Sequence, residues 1–106
     1  MAEPGEYRFH IEEEGEIIAG IVAGSCFETL EAESLFVDEA HRGKGHGRRL
    51  LRYAEEKGKA AGLKHVLLNT YEFQAPGFYQ KEGYRQLFQI EKAFGEYGQY
   101  FFWKDL

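Results

Sequence analysis

The 106 residues of this chain include one cysteine and two prolines, and the basic residues do not outnumber the acidic ones. A lone cysteine, Cys26, cannot form a disulfide within the chain, which excludes an oxidised scaffold and any pull toward an oxidising compartment. No apolar run approaches the ~20 residues that cross a bilayer as a helix. The opening stretch Met1-Ala2-Glu3-Pro4-Gly5 is acidic and does not resemble a secretory signal. A soluble, cytoplasmic protein without a membrane partner is expected. The formal net charge of −5 lacks the broad basic surface that nucleic acid requires, so no nucleic-acid partner is expected either. His10, His41, His46 and His65 show no metal-ligand spacing, and Cys26 has no partner motif. No metal is expected, and no Ser/His/Asp arrangement can be read.

What the chain does have is apolar matter. Hydrophobic residues make up 43%, with nine Phe and seven Tyr, enough for one core and one domain spanning 1–106. Tyr7, Phe9 and Ile11 alternate with Arg8, His10 and Glu12, the period of a half-buried strand. A polar turn at Glu13-Glu14-Gly15-Glu16 leads to a second, more buried strand at Ile17 to Ala23, making a hairpin. A third strand is expected from Thr29 to Val37. Gly47, Leu50, Leu51, Ala54, Gly58 and Ala61 recur at helical spacing, so a helix should run from Gly45–Gly47 to Ala61, with Gly62 as its stop. Lys64 to Tyr71 reads as the next strand, and strand–helix–strand in this order implies a right-handed parallel crossover. A short helix follows at Ala75 to Gly83, then strands at Tyr84 to Ile90 and Gln99 to Lys104. The class is α/β (α+β): a mixed, mostly antiparallel sheet of about six strands around a central parallel crossover.

The positive charge is clustered. Arg42, Lys44, Arg48, Arg49 and Arg52 lie in one stretch, with His41 and His46 among them. A local basic patch on an acidic chain suits a small polyanion. Inside it, Arg42-Gly43-Lys44-Gly45-His46-Gly47 joins a strand to a helix. The first amides of a helix lack partners within it and carry partial positive charge, and glycines let a phosphate-bearing ligand approach. Arg48 and Arg49 would stand in the first helical turn, where cations are disfavoured, and a bound anion would remove that conflict. A bare tight turn with solvated basic residues is the plainer reading. The turn lacks the Gly-Lys-Ser/Thr ending of a P-loop, and an ATP or NAD binder of another class remains open.

Strand, Arg42-x-x-Gly45-x-Gly47, helix resembles the first signature of the GNAT superfamily of acetyl-CoA-dependent N-acetyltransferases. Ala75-Pro76-Gly77-Phe78-Tyr79-Gln80-Lys81-Glu82-Gly83-Tyr84 is similar to its second. The stretch from Thr70 to Tyr79 looks like that of a bacterial subgroup carrying Thr-Phe-x-Phe-Gln-Ala. The resemblance implies acetyl-CoA as cosubstrate and a primary amine, on a small molecule or a protein, as acceptor. It implies that the backbone of Arg42, Gly43, Lys44, Gly45 and Gly47, extending to Arg48, holds the CoA pyrophosphate, and that Val37 bonds the pantetheine arm. It further implies that the third strand splays from the Lys64–Tyr71 strand around the thioester, and that Tyr79 protonates the departing thiolate. Glu33 and Glu31 are candidate bases for the amine proton, and by strict alternation they share a face with Leu35 and Val37. Glu72 is a third candidate, standing where many members carry Asn. Typical members begin with a further strand and one or two helices. A shortened N-terminus would leave the acceptor side open or completed by a second subunit, so a homodimer is expected, with Tyr97 to Trp103 offering aromatic area. The alternative reading is a non-catalytic acyl-CoA-binding or assembly module without a complete acceptor site.

Overall fold

A computed structural model of the chain describes residues 5–71 and 76–106. Strands β1 (Glu6–Glu13), β2 (Glu16–Cys26) and β3 (Thr29–Val37) form an antiparallel meander. A single 3-10 turn (Glu39–His41) and the glycine-rich segment lead into α1 (His46–Ala60), then β4 (His65–Tyr71), α2 (Pro76–Lys81), β5 (Arg85–Phe94) and β6 (Tyr97–Asp105). The sheet order is β1-β2-β3-β4-β6-β5, with β3 and β4 the parallel pair. The expected order of β5 and β6 holds, but β5 runs on past Ile90 to Phe94 and β6 starts at Tyr97, two residues before Gln99. The extra residues carry the hairpin toward its turn, where Phe94 pairs with Tyr97 after an irregularity that follows Ile90.

Local chemistry explains the connections. The β1–β2 turn places Glu14 and Gly15 at φ 51° and 81°, the two positive values of a tight hairpin turn that follows strand twist. The β2–β3 turn has Phe27 at φ 55°, a position where glycine is the usual choice. Along α1, Leu50, Leu51, Ala54 and Gly58 fall on the buried face as their spacing predicts, whereas Ala61 is an exposed cap. Gly58 lies where a Cβ would sit 3.4 Å from Leu30, and Gly47 where one would sit 3.5 Å from Val37 and 3.8 Å from Phe78. Both helices therefore cover the same face of the sheet. Between them and the strands lies the core of Ala19, Ile21, Leu30, Leu51, Val66, Leu68 and Phe102. Each large side chain there contributes about 1.5–3 kcal/mol by burial.

Two features of the sheet position the site. β3 and β4 pair only from Thr29–His65 to Ala32–Leu68. Beyond that, β3 stays on β2 while β4 follows β6, and a gap opens between them. The second feature corrects the strict alternation read from the sequence. The β2–β3 register shifts between Val22–Ser34 and Ala23–Ala32, so Glu33 is an extra residue, a β-bulge. Leu30 and Ala32 before it, and Leu35 and Val37 after it, all pack against the core cluster on the helix side. Glu31 is exposed and does not share their face.

Candidate active site

The gap opens past Ala32 and Leu68, and β3 runs on to Val37, ahead of the glycine-rich segment. The Asp38 amide donates to the Ile18 carbonyl at 2.7 Å, tying the end of β3 to β2. The Asp38 carboxylate accepts from the Ala40 amide at 3.2 Å and faces Nδ1 of His41 at 2.9 Å. His41 Nε2 lies 3.1 Å from Glu13, so one imidazole braces the segment against the β1–β2 turn. The hydrogen bond between His41 and Asp38 is the main reason the Asp38 carboxyl sits below its ordinary pKa. Arg42 Nε donates back to the Val37 carbonyl at 3.3 Å, closing the loop and leaving that oxygen a second lone pair.

Gly43 and Gly45 have φ of 81° and 82°, and a Cβ on either would meet only open space. Glycine is needed there for its backbone, not for room. Gly45 caps α1 without any side-chain bond, the first turn holds no acidic residue, and the first helical bond runs from the Arg49 amide to the Gly45 carbonyl at 3.0 Å. The amides of His46, Gly47 and Arg48 thus point outward from the positive end of the helix dipole. His46, part of the basic stretch and without metal-ligand spacing in the sequence, has both ring nitrogens buried without a hydrogen-bond partner. An orphaned polar group beside uncapped amides fits a polyanionic ligand seated on this turn.

One argument from sequence is corrected. Arg48 needs no external anion to offset its place in the first turn, because the Glu82 carboxylate lies 3.5 Å from it and 3.1 Å from Arg52. The two guanidiniums are more than half exposed, so each contact is worth less than about 1 kcal/mol. Its value is in joining α1 to the exit of α2.

Across the gap stands Tyr79 of α2. Its ring meets Phe78, Phe102 and Tyr84 at centroid distances of 5.1, 5.8 and 5.9 Å, and burial raises its phenol above the ordinary pKa. Tyr79, Glu33, Ser34 and Asn69 line one cavity at the point where β3 and β4 part, over a floor of Ile21, Leu51 and Leu68. Its room is about 20 Å3, space for a single water. The structure therefore brings Glu33 and Tyr79 together, with Glu33 exposed rather than buried, and leaves Glu31 outside the cavity lining. Glu72 and Ala75 lie outside the described residues. Asn69 was missed by sequence reasoning. Its Oδ1 accepts from Gln99 Nε2 at 3.0 Å, and the available signal was an amide ending an otherwise apolar strand run. Among the described residues, no group of three His, Cys, Asp or Glu side chains is placed to hold a metal ion, and no helix is long and apolar enough to cross a membrane.

A phenol, a carboxylate and an amide around a strand gap, next to a turn built for phosphate, is equipment for acyl transfer from a phosphate-bearing carrier. Comparison with known proteins agrees. Residues 5–86 match the family described as the acetyltransferase (GNAT) domain. Blasticidin-S acetyltransferase of Streptomyces morookaense is 40% identical over 74 residues, which are 69% of this chain and 54% of that protein. The chain spans about half the length of the curated relatives it matches. The crystal structure of an acetyltransferase from Bacillus cereus ATCC 14579 superposes with a TM-score of 0.94 at 36% identity, over 97% of this chain and 74% of that one. An aminoglycoside 6′-N-acetyltransferase complexed with coenzyme A shares the fold, with a TM-score of 0.84 at 18% identity, over 94% of this chain and 72% of that one. With a family match over residues 5–86, and the glycine turn of α1 and helix α2 formed where the two signatures fall, this chain belongs to the GNAT acetyltransferase family.

Proposed function

We propose that this domain moves an acetyl group from acetyl-CoA directly to a primary amine. The observation that carries the reading is the uncapped glycine turn of α1 lying at the mouth of the β3–β4 gap, with Tyr79 on the far side. The amides from Arg42 to Arg48 would hold the CoA pyrophosphate, and Val37 would receive the pantetheine arm. The amine nitrogen attacks the thioester carbonyl, a C–N bond forms and the C–S bond breaks. Glu33, on the cavity wall, takes the proton lost by the amine, directly or through the water the cavity can hold. The raised pKa of Tyr79 keeps its phenol protonated, so it can give its proton to the departing thiolate. Glu31 serves at most at a distance, through the acceptor side.

Thermal denaturation with acetyl-CoA, CoA, ATP and NAD in parallel tests the cofactor class. A ligand at about 100 times its dissociation constant stabilises by ~2.7 kcal/mol, several degrees for a domain of this size. A shift with acetyl-CoA and CoA alone is expected, and no shift with either at millimolar concentration sinks the reading. Blasticidin S and aminoglycosides are the first acceptors to screen, because relatives are named for them. Binding without acetylation of any amine would favour a non-catalytic acyl-CoA module.

A homodimer and a cytoplasmic location complete the proposal. Edge strand β5 exposes Leu87, Phe88, Ile90 and Phe94, and Tyr97 of β6 adjoins them. Unpaired edges with apolar side chains are templates for self-association. Light scattering should give twice the chain mass at micromolar concentration, and a monomer throughout would overturn the pairing.

A further inference from the structure

We propose that Tyr84, Glu55 and Lys104 form a lock that holds Tyr79 in place at the gap. The placement is read from contacts alone, and its use in catalysis rests on the acid role proposed above for Tyr79. Helix α2 has six residues and none of them is fully buried. A helix that short cannot hold itself in water, so its position comes from the contacts at its exit. There, Gly83 turns the chain at φ 91°, and the Tyr84 amide donates to the Tyr79 carbonyl at 3.0 Å. The Tyr84 ring stands edge-on to the Tyr79 ring.

Tyr84 is itself immobilised. It is 4% exposed, and its hydroxyl donates to Glu55 Oε2 at 2.6 Å. Glu55 Oε1 accepts from Lys104 Nζ at 3.0 Å. The same ammonium donates to the Glu82 carbonyl at 2.9 Å and lies 5.3 Å from the centre of the Tyr84 ring. Three elements, α1, β6 and the exit of α2, are joined through one nearly buried carboxylate. Apolar side chains of equal volume could stabilise this junction as well, since buried ion pairs gain little net energy. What the charged hydrogen bonds add is direction. They fix the plane of Tyr84, and with it the wall against which Tyr79 lies. A displacement of about 1 Å in a reacting group can cost on the order of 100-fold in rate.

The test uses the full chain labelled with 3-fluorotyrosine, the Tyr79 fluorine line being assigned with Tyr79→Phe. Tyr84→Phe keeps the ring and removes only the hydroxyl, and Lys104→Met removes a group that reaches Tyr79 only through the others. Both variants should split or shift the Tyr79 line, with the Tyr84 line absent in the first and moved in the second, while the lines of tyrosines remote from the junction, such as Tyr7 and Tyr97, stay in place. An unchanged Tyr79 line in both overturns the lock. If Tyr84→Phe does not fold, Lys104→Met carries the measurement. Kinetics supply a second readout, the release of CoA from acetyl-CoA with blasticidin S as acceptor. Tyr84→Phe should lower kcat about tenfold with KM for acetyl-CoA unchanged, and should cost nothing further in the Tyr79→Phe background. An additive loss would mean that Tyr84 acts on the fold at large, and overturns the inference. A Tyr79→Phe protein with full turnover would instead remove the acid role of Tyr79, while the fluorine lines still decide whether it is held.

Discussion

Two glycines of the turn show how one residue type can serve opposite ends. Gly45 holds a left-handed backbone with nothing near its missing Cβ. Gly47 is helical, with ordinary contact distances to Val37 and Phe78. Gly45→Ala should therefore destabilise the domain by about 1–2 kcal/mol through backbone strain and weaken CoA binding. Gly47→Ala should leave stability equal or raise it by up to about 1 kcal/mol through helix propensity. Urea unfolding of the two variants checks both signs. Phe27 is the reverse case, an exposed aromatic at positive φ. Phe27→Gly is expected to stabilise by roughly 1 kcal/mol, read as a higher melting temperature. At this scale the glycine-rich turn was legible in the sequence, because glycine spacing reports backbone requirements directly. Asn69 and His46 were not, because an amide or imidazole announces nothing until its surroundings are known.

At the scale of elements, the bulge at Glu33 matters most. It changes the phase of β3, so that Leu30 and Ala32 before it and Leu35 and Val37 after it all face the helices. Deleting Glu33 would remove the extra residue and leave Leu30, Ala32, Leu35 and Val37 in regular alternation on one face. The deletion variant should keep a cooperative, two-state melt, and loss of cooperative unfolding would refute the account. The same bulge explains why period-2 reading misplaced Glu31. A local pattern cannot reveal an inserted residue that only the partner strand exposes. The Arg48–Glu82 and Arg52–Glu82 contacts join residues 34 and 30 positions apart, and for the same reason they could not be read from either helix.

For the whole molecule, pH reports on burial. Burial is the first cause of the raised pKa of both Tyr79 and Tyr84, and for Tyr84 the Glu55 hydrogen bond adds to it. A raised folded-state pKa means that the native protein keeps its proton where the unfolded chain has lost it. The contribution is complete below the unfolded value near 10 and is lost as pH rises above it. Absorbance titration of the phenolates should be biphasic, with the last tyrosines ionising only as tertiary structure is lost. Asp38 and Asp105 work at the other end. Their depressed values, owed first to His41 and to Trp103 respectively, give stability above the unfolded value that fades as pH falls through the folded one. Asp38→Asn should therefore flatten the acid limb of a melting-temperature profile below the ordinary aspartate range.

The sequence by itself determined the number and order of strands, the buried stripe of α1 and the glycine-rich turn ahead of it. Each depends on local spacing, on backbone freedom or on periodicity, and these are properties of short stretches. Only the tertiary structure decided the rest: that β6 inserts between β4 and β5, that β3 and β4 part after Ala32 and Leu68, and that Glu33 and Tyr79 meet at one cavity. These outcomes depend on pairings between residues far apart in the chain. Their energies come from surfaces that exist only once the sheet has closed on its two helices.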